Sequence, residues 1–345
     1  MLAGGVGSRF WPVSTPQRPK QLLPLAGVRA LLAQTVERIA PLVPLDRLRI
    51  LTGRALAQPI LRSLPELKSE NLLLEPRARG TAPILAWAAA ELRRRDPEAV
   101  MISLHADHVI APAERFRELL ARVAELSRRD RLLFTVGVRP DRPETGFGYI
   151  RTGAPIAGPV DAHLVRSFVE KPDRATAESY VASGDYLWNS GIFVWPAELL
   201  LDEIARHTPE LAPLLPLLDE GRIDEFFERA PNLTIDVGLL ERSPRVGVVR
   251  ATFDWDDVGA WDAVARNRER DEAGNVTVGD AWLVDSEGCI AWAEDGSVVV
   301  FGGRDLVVVR THGVTLVAPR DRTADLKSLL ERLPARLREP EADNG

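Results

Sequence analysis

The chain has 345 residues, 45% of them hydrophobic, with a formal net charge of −6. That is long enough for one large α/β domain and a smaller companion, and the sign is wrong for a chain that grips nucleic acid by neutralising phosphates. No stretch reaches the roughly 18–20 apolar residues of a membrane span and no basic-then-apolar leader opens the sequence, so a cytoplasmic protein with no membrane partner is expected. The single cysteine, Cys289, leaves no internal disulfide and no cysteine-rich zinc site.

Leu2 and Ala3 run into Gly4-Gly5-Val6-Gly7-Ser8-Arg9, followed by Trp11-Pro12 and Pro19-Lys20-Gln21. Glycines let backbone N–H groups approach phosphate oxygens and tolerate positive φ, while Arg9 and Lys20 supply charge-assisted hydrogen bonds to the same anion. No acidic side chain precedes Glu37, so Arg9, Arg18, Lys20 and Arg29 set up a local positive field. This is not a P-loop, since no Gly-Lys-Ser/Thr follows, nor the dinucleotide fingerprint, whose third glycine would fall near Trp11-Pro12. The whole string resembles the signature of sugar-phosphate nucleotidyltransferases, and its Trp-Pro and Pro-Lys-Gln variants resemble the mannose-1-phosphate guanylyltransferases among them. The resemblance implies nucleotide contacts from Leu2, Gly4, Gly5, Gly7, Ser8 and Arg9, with Arg9 holding the leaving pyrophosphate and Lys20 bridging the reacting phosphates. In that family several apolar residues precede Leu-Ala-Gly-Gly in a central strand. Here only Met1 does, which reads as a misplaced or clipped start and is expected to remove ladder bonds and weaken the fold.

Leu31, Leu32, Thr35, Val36, Ile39 and Val43 recur at helical spacing, and Arg47 to Thr52 alternates into a strand ending at Gly53. A helix over Ala55 to Leu64 leads to a short apolar strand, Asn71 to Leu74. This βαβ rhythm predicts a doubly wound, mixed but mostly parallel Rossmann-like sheet whose ligand lies at the carboxyl ends of the strands. The resemblance makes it the nucleotide-diphospho-sugar transferase type. Glu75 to Pro83 then opens a helix running through Arg93, with Thr81 as its N-cap. By resemblance this is the guanine-contacting loop, with Glu75 as base reader beside Gly80 and Thr81.

Ala99 to Leu104 reads as a buried strand, and His105-Ala106-Asp107-His108 sits at its carboxyl end, where a carboxylate suits Mg²⁺ against bound phosphates. Two histidines around an aspartate also occur in metallohydrolases, but position 103 is serine, and five scattered histidines promise few nitrogen ligands. Asp107 is therefore the expected catalytic metal ligand, with His105 and His108 structural. A helix over Ala113 to Arg129 and a strand over Leu132 to Val138 lead to Pro143-Glu144-Thr145-Gly146-Phe147-Gly148-Tyr149-Ile150. Resemblance makes Gly148 a sugar contact, and in Phe168-Val169-Glu170-Lys171-Pro172 it gives Glu170 the sugar hydroxyls and Lys171 the sugar phosphate. In Trp188-Asn189-Ser190-Gly191, Asn189 is a polar tooth in an apolar strand, with sugar hydroxyls as its expected partners. Thr234-Ile235-Asp236-Val237 resembles a segment near the sugar pocket, where the family has tyrosine in place of Val237.

Asp254-Trp255-Asp256-Asp257 puts three carboxylates into four residues, which repel one another unless a cation or N–H donors compensate. By resemblance Asp257 joins Asp107 on the metal, while Asp256 is expected to cap a helix starting near Ala260. From about Glu272 glycine-punctuated short strands suggest a small sheet or a few β-helix coils with a final helix over Thr323 to Leu333. The predicted organisation is a catalytic domain at 1–268, a small β-rich domain at 272–333 for packing or oligomerisation, compatible with a homodimer, and a flexible tail at 334–345.

The function implied is transfer of GMP from GTP to mannose 1-phosphate with Mg²⁺ as cofactor. The rivals are another sugar 1-phosphate, such as glucose or a heptose, and a non-catalytic sugar-nucleotide-binding regulatory subunit. A metallohydrolase is the most distant rival.

Overall fold

A computed structural model describes residues 1–338. The chain opens in extended pairing on both edges. Leu2 donates to the Leu104 carbonyl (2.7 Å) and accepts from Ala106 N (2.9 Å), while Ala3 N donates to Leu51 O (2.9 Å) and Leu51 N to Met1 O (2.8 Å). The short first strand thus keeps its ladder wherever it has residues, and Met1, Leu2 and Ala3 are buried.

Beside it, Ile50–Gly53 pairs in parallel with Leu72–Glu75. On the other side, Val100–Ser103 begins a sheet that continues through Tyr186–Pro196, Leu133–Val138, Val246–Arg250, Ala162–Glu170 and Gly148–Ile156. Tyr186–Pro196 and Ala162–Glu170 run against their neighbours, and the other strands share one direction. The sheet is mixed, with most of its strands running in one direction, as expected. The start of Tyr186–Pro196 also pairs with Gly148–Ile156, curling the far end of the sheet back on itself.

Alternation along the strands feeds two cores, as period-two side chains must. Leu133, Phe193 and Trp195 pack with the helices Thr81–Arg95 and Ala197–His207. Phe134, Ile192 and Val194 pack on the opposite side with Leu31–Ile39 and Ala113–Asp130. Covered on both faces, the sheet has its strand ends left for ligands.

Two short strands were not foreseen. Val109–Ala111 pairs antiparallel with Asp254–Asp256, Val109 facing Asp256 and Ile110 facing Trp255. This ladder draws together two acidic segments that are far apart in sequence.

After Asn267 the chain winds into β coils. Val276–Val278, Ile290–Ala293 and Leu306–Thr311 stack in parallel, as do Ala281–Val284 and Val298–Phe301, before Val314–Pro319 returns antiparallel. The expected final helix is Leu326–Arg332, after a 3₁₀ stretch Arg320–Asp325. The coils do not stand apart: Val276, Ile290, Trp292, Val307 and Val309 share a core with Phe10, Trp11, Val13, Leu23 and Leu25. Residues 339–345, most of the tail expected from 334 onward, lie outside the described residues. Ala335–Arg338 is a short helix, and the Leu337 carbonyl accepts from Trp11 Nε1 at 3.1 Å.

Candidate active site

The glycine turn closes over Lys20. Gly5 and Gly7 have φ of 84° and 72°, in the left-handed region that favours glycine. A Cβ on Gly7 would come within 2.4 Å of Lys20 Cβ, so close approach as well as φ demands glycine there. Lys20 N donates to Val6 O at 3.1 Å and Ser14 Oγ to Gly7 O at 2.7 Å, fixing the loop to the lysine it surrounds. Gly4 and Gly5 are exposed, Ser8 is half-buried, and Arg9 is exposed. Leu2 differs from the others: its backbone groups are spent in the sheet and its side chain in the core.

Lys20 is nearly buried, and its ammonium meets both acidic segments. Nζ lies 2.9 Å from Asp107 Oδ2 and donates to the Asp257 carbonyl at 2.7 Å. Burial alone would raise the Asp107 carboxyl, but the Lys20, His108 and His105 charges and the Lys20 hydrogen bond outweigh it and hold Asp107 at about 2. Asp257 goes the other way. Burial, helped by Asp256 and Asp107 and opposed by Lys20, pushes it up to about 6. Among the described residues its carboxyl accepts no hydrogen bond, while neighbouring Asp256 is fully engaged by Val258 N (2.7 Å) and by Arg266 Nε (2.6 Å). The helix here starts at Asp262, so Asp256 caps a turn and not the helix. A half-buried carboxylate without donors, next to a second carboxylate, fits a hard divalent cation with oxygen ligands.

His105 and His108 flank Asp107, and ligand atoms of the three lie within 4.8 Å of one another. The rings stack at 4.7 Å, and His108 Nδ1 accepts from Trp255 Nε1 at 3.1 Å. Burial lowers both imidazoles, His108 well below the usual value. His105 also packs against Gly191, where a Cβ would lie 2.6 Å from Nε2. The segment containing Asn189 is thereby set beside the one containing Asp107.

On the other flank, Gly80 has φ of 79° and a Cβ there would meet Leu233 O at 2.4 Å. Thr81 is not the N-cap, which is Gly80; its Oγ1 instead accepts from Ile235 N at 2.8 Å. Glu75 ends its strand half-buried, and burial raises its carboxyl. Gly148 faces Glu170 across the ladder, and a Cβ there would stand 2.6 Å from Glu170 Oε2, so that carboxylate would have to move. Lys171 Nζ pairs with Glu170 Oε1 at 2.5 Å, so these two engage each other. Phe147 packs edge-on against Trp188 and Trp255, making an aromatic wall from the Gly148 segment to His108.

The structure therefore brings Gly7, Lys20, Asp107 and Asp257 into one contact group and joins Gly80 and Thr81 to the segment at 233–235. Gly148, Glu170 and Lys171 form a second group, and Asn189 is tied to Asp236 at 2.8 Å. Sequence reasoning gives Asp236 no role of its own. The signal was there, a carboxylate between Ile235 and Val237, but only the Asn189 contact gives it meaning.

Residues 1–274 match the nucleotidyl transferase family, and residues 279–333 match a mannose-phosphate isomerase/GMP-like β-helix domain. A mannose-1-phosphate guanylyltransferase of Klebsiella pneumoniae is 37% identical over 345 residues, covering 96% of this chain and 73% of that protein. One from Salmonella typhimurium is 38% identical, covering 97% of this chain and 72% of the relative. A crystal structure from Thermus thermophilus, described as a mannose-1-phosphate geranyltransferase, superposes with a TM-score of 0.87 at 36% identity. It covers 96% of this chain and 97% of its own. A UDP-glucose pyrophosphorylase, 15% identical with a TM-score of 0.51 over 77% of this chain and 94% of its own, shares the fold alone.

Proposed function

The chain belongs to the nucleotidyl transferase family, and on that premise we propose that it transfers GMP from GTP to α-D-mannose 1-phosphate, giving GDP-mannose and pyrophosphate. A phosphate oxygen of the sugar phosphate attacks the α-phosphorus in line and pyrophosphate leaves, with little proton chemistry for the protein to supply. Positioning and charge neutralisation are then the protein's work. What supports the reading above all is Lys20, which sits under the glycine turn and touches both Asp107 and Asp257. Its ammonium is placed to meet phosphate oxygens, and the exposed Arg9 at the rim would hold the departing pyrophosphate. Mg²⁺ held by Asp107 and Asp257 would offset the repulsion between two anionic substrates.

In the same reading Glu75, Gly80 and Thr81 border the guanine, Gly148, Glu170, Lys171 and Asn189 border the sugar phosphate, and the enzyme works in the cytoplasm as a homodimer. Among the described residues no helix is long and apolar enough to cross a membrane.

The test is pyrophosphate release with Mg²⁺ across GTP, ATP, dTTP and UTP against mannose, glucose and heptose 1-phosphates. Release confined to GTP with mannose 1-phosphate is expected. Preference for another pair would replace the substrates while keeping the reaction, and no release from any pair would overturn both. Sedimentation velocity tests the homodimer, a single monomeric boundary at micromolar concentration being the contrary result.

A further inference from the structure

One face of the β coils is apolar and left uncovered by the described residues. Ala281–Val284 and Val298–Phe301 pair in parallel, with Trp282 opposite Val299 and Val284 opposite Phe301. Alternation sends Ala281, Leu283, Val298 and Val300 inward, into a small core with Ala291, Ala293 and Val308. The other four side chains point outward and stay exposed: Trp282 63%, Val284 46%, Val299 68% and Phe301 77%. Exposed apolar side chains are ordinary when scattered singly, whereas a contiguous group with two aromatic rings marks a docking surface. Residues 339–345 carry no aromatic or branched aliphatic side chain that could cover it from within the chain.

We infer that the face made by Trp282, Val284, Val299 and Phe301 packs against the same face of a second copy of this chain; this rests on the homodimer reading. The shape of the face carries the inference. In register, the two large side chains stand at opposite corners, Trp282 on one strand and Phe301 on the other, and the valines fill the remaining corners. A two-fold axis lying in the contact plane along the strands exchanges the two strands. Trp282 then comes down on the partner's Val299, and Phe301 on the partner's Val284. Large meets small at every corner, so the patch is complementary to itself, as an isologous contact requires. Rings opposite each other across the strand pair would instead have met ring on ring. The indole is also held ready. Trp282 Nε1 donates to Asp280 Oδ1 at 2.9 Å, and Asp280 accepts from Ser297 Oγ at the start of the other strand. With its N–H satisfied inside the chain, the ring offers a partner apolar surface alone and loses little rotamer freedom on contact. The four side chains present on the order of 500 Å². Two copies bury about twice that, close to the ~1,000 Å² that a specific interface must clear, before any contact at the polar rim is added.

The test is sedimentation velocity of the full chain over a range of micromolar concentrations, with Phe301→Glu, Trp282→Glu and Val299→Lys beside the wild type. Each substitution enters a two-fold contact twice. Each is expected to raise the dimer dissociation constant at least about 100-fold, as loss of a central aromatic anchor or a buried unpaired charge does. All three side chains lie outside the core, so the variants should keep the wild-type circular dichroism spectrum. Val28→Glu is the control: Val28 is 95% exposed and outside this face, and its variant should associate like the wild type. Phe301→Leu, which keeps the contact apolar, should retain most of the association. Dimers undisturbed by the three charged variants would place the two-fold contact elsewhere, overturning this face and leaving the homodimer standing. Open-ended self-association in place of a closed dimer would overturn the two-fold pairing. A wild type that stays monomeric throughout would overturn the face and the homodimer together.

Discussion

Lys20 is one ammonium serving two carboxyl segments, and that geometry sets what its loss should do. In Lys20→Ala the Asp107 carboxylate at 2.9 Å loses its partner and the phosphates lose a cation. Turnover should fall at least about 10²- to 10³-fold, the usual cost of removing one preorganised donor from a transition state. The folded protein should survive with a lowered thermal midpoint, readable by calorimetry beside the kinetics. Asp236 gives a pH signature instead. Its folded value of about 6 lies above the unfolded 3.8, so its contribution to stability is fully present below about pH 4 and lost as pH rises through 6. Asp236→Asn does not share that loss. Its thermal midpoint relative to wild type should climb between pH 4 and pH 6 and then level off, and a flat difference across that range would contradict the burial argument. The contrast between Lys20 and Asp236 also shows how legible single residues were. Lys20 was found because it stands in a motif, whereas Asp236 needed the Asn189 amide to turn towards it, and no spacing in the sequence encodes that contact.

At the level of elements, the ladder of Val109–Ala111 with Asp254–Asp256 sets Asp107 and Asp257 at one strand end. Neither strand shows clear alternation, both are short, and a long stretch of chain separates them, so periodicity had nothing to detect. The antiparallel insertion of Tyr186–Pro196 was hidden for a related reason: an apolar strand buried on both faces reads alike in either direction. The β coils were easier, since glycines break the run at nearly every turn. A packing role was expected of them, but not that it falls on the glycine turn. Trp292 is buried against Trp261, which packs on Phe10 beside the glycine turn, with ring centroids 5.6 Å apart in each pair. Arg268 adds hydrogen bonds to Pro24 O, Leu25 O and Gly27 O. Trp292→Ala should therefore cost about 3–5 kcal/mol of stability, as large-to-small core changes do. It should also raise KM for the nucleotide, although Trp292 lies outside the nucleotidyl transferase match. Urea melts and steady-state kinetics on the same preparation would check both, and a stability loss with unchanged KM would mean that the coils only cap the core. Gly80→Ala tests the opposite flank. Its Cβ would meet the Leu233 carbonyl, a backbone atom that cannot swing away, so KM values for both substrates should rise together.

Across the whole molecule, the doubly wound sheet was legible because strands and helices alternate in sequence, and the glycine turn fell at a strand end as such sheets require. What could not be read was how two halves of a cleft share parts. The glycine turn is braced by the β coils from behind, faces Asp107 and Asp257 through Lys20, and is linked through His105 on Gly191 to the strand that carries Asn189. Closure of such a site is a property of packing between distant segments, which composition and spacing do not record. One concerted centre is expected, in which Lys20 faces the reacting phosphorus. The most direct test follows radiolabel from GTP carrying it at the α-phosphate, incubated with mannose 1-phosphate and Mg²⁺, in wild type and Lys20→Ala side by side. Label should pass into GDP-mannose in the wild type and hardly at all in the folded variant. Undiminished transfer by Lys20→Ala would contradict the central role given to that lysine.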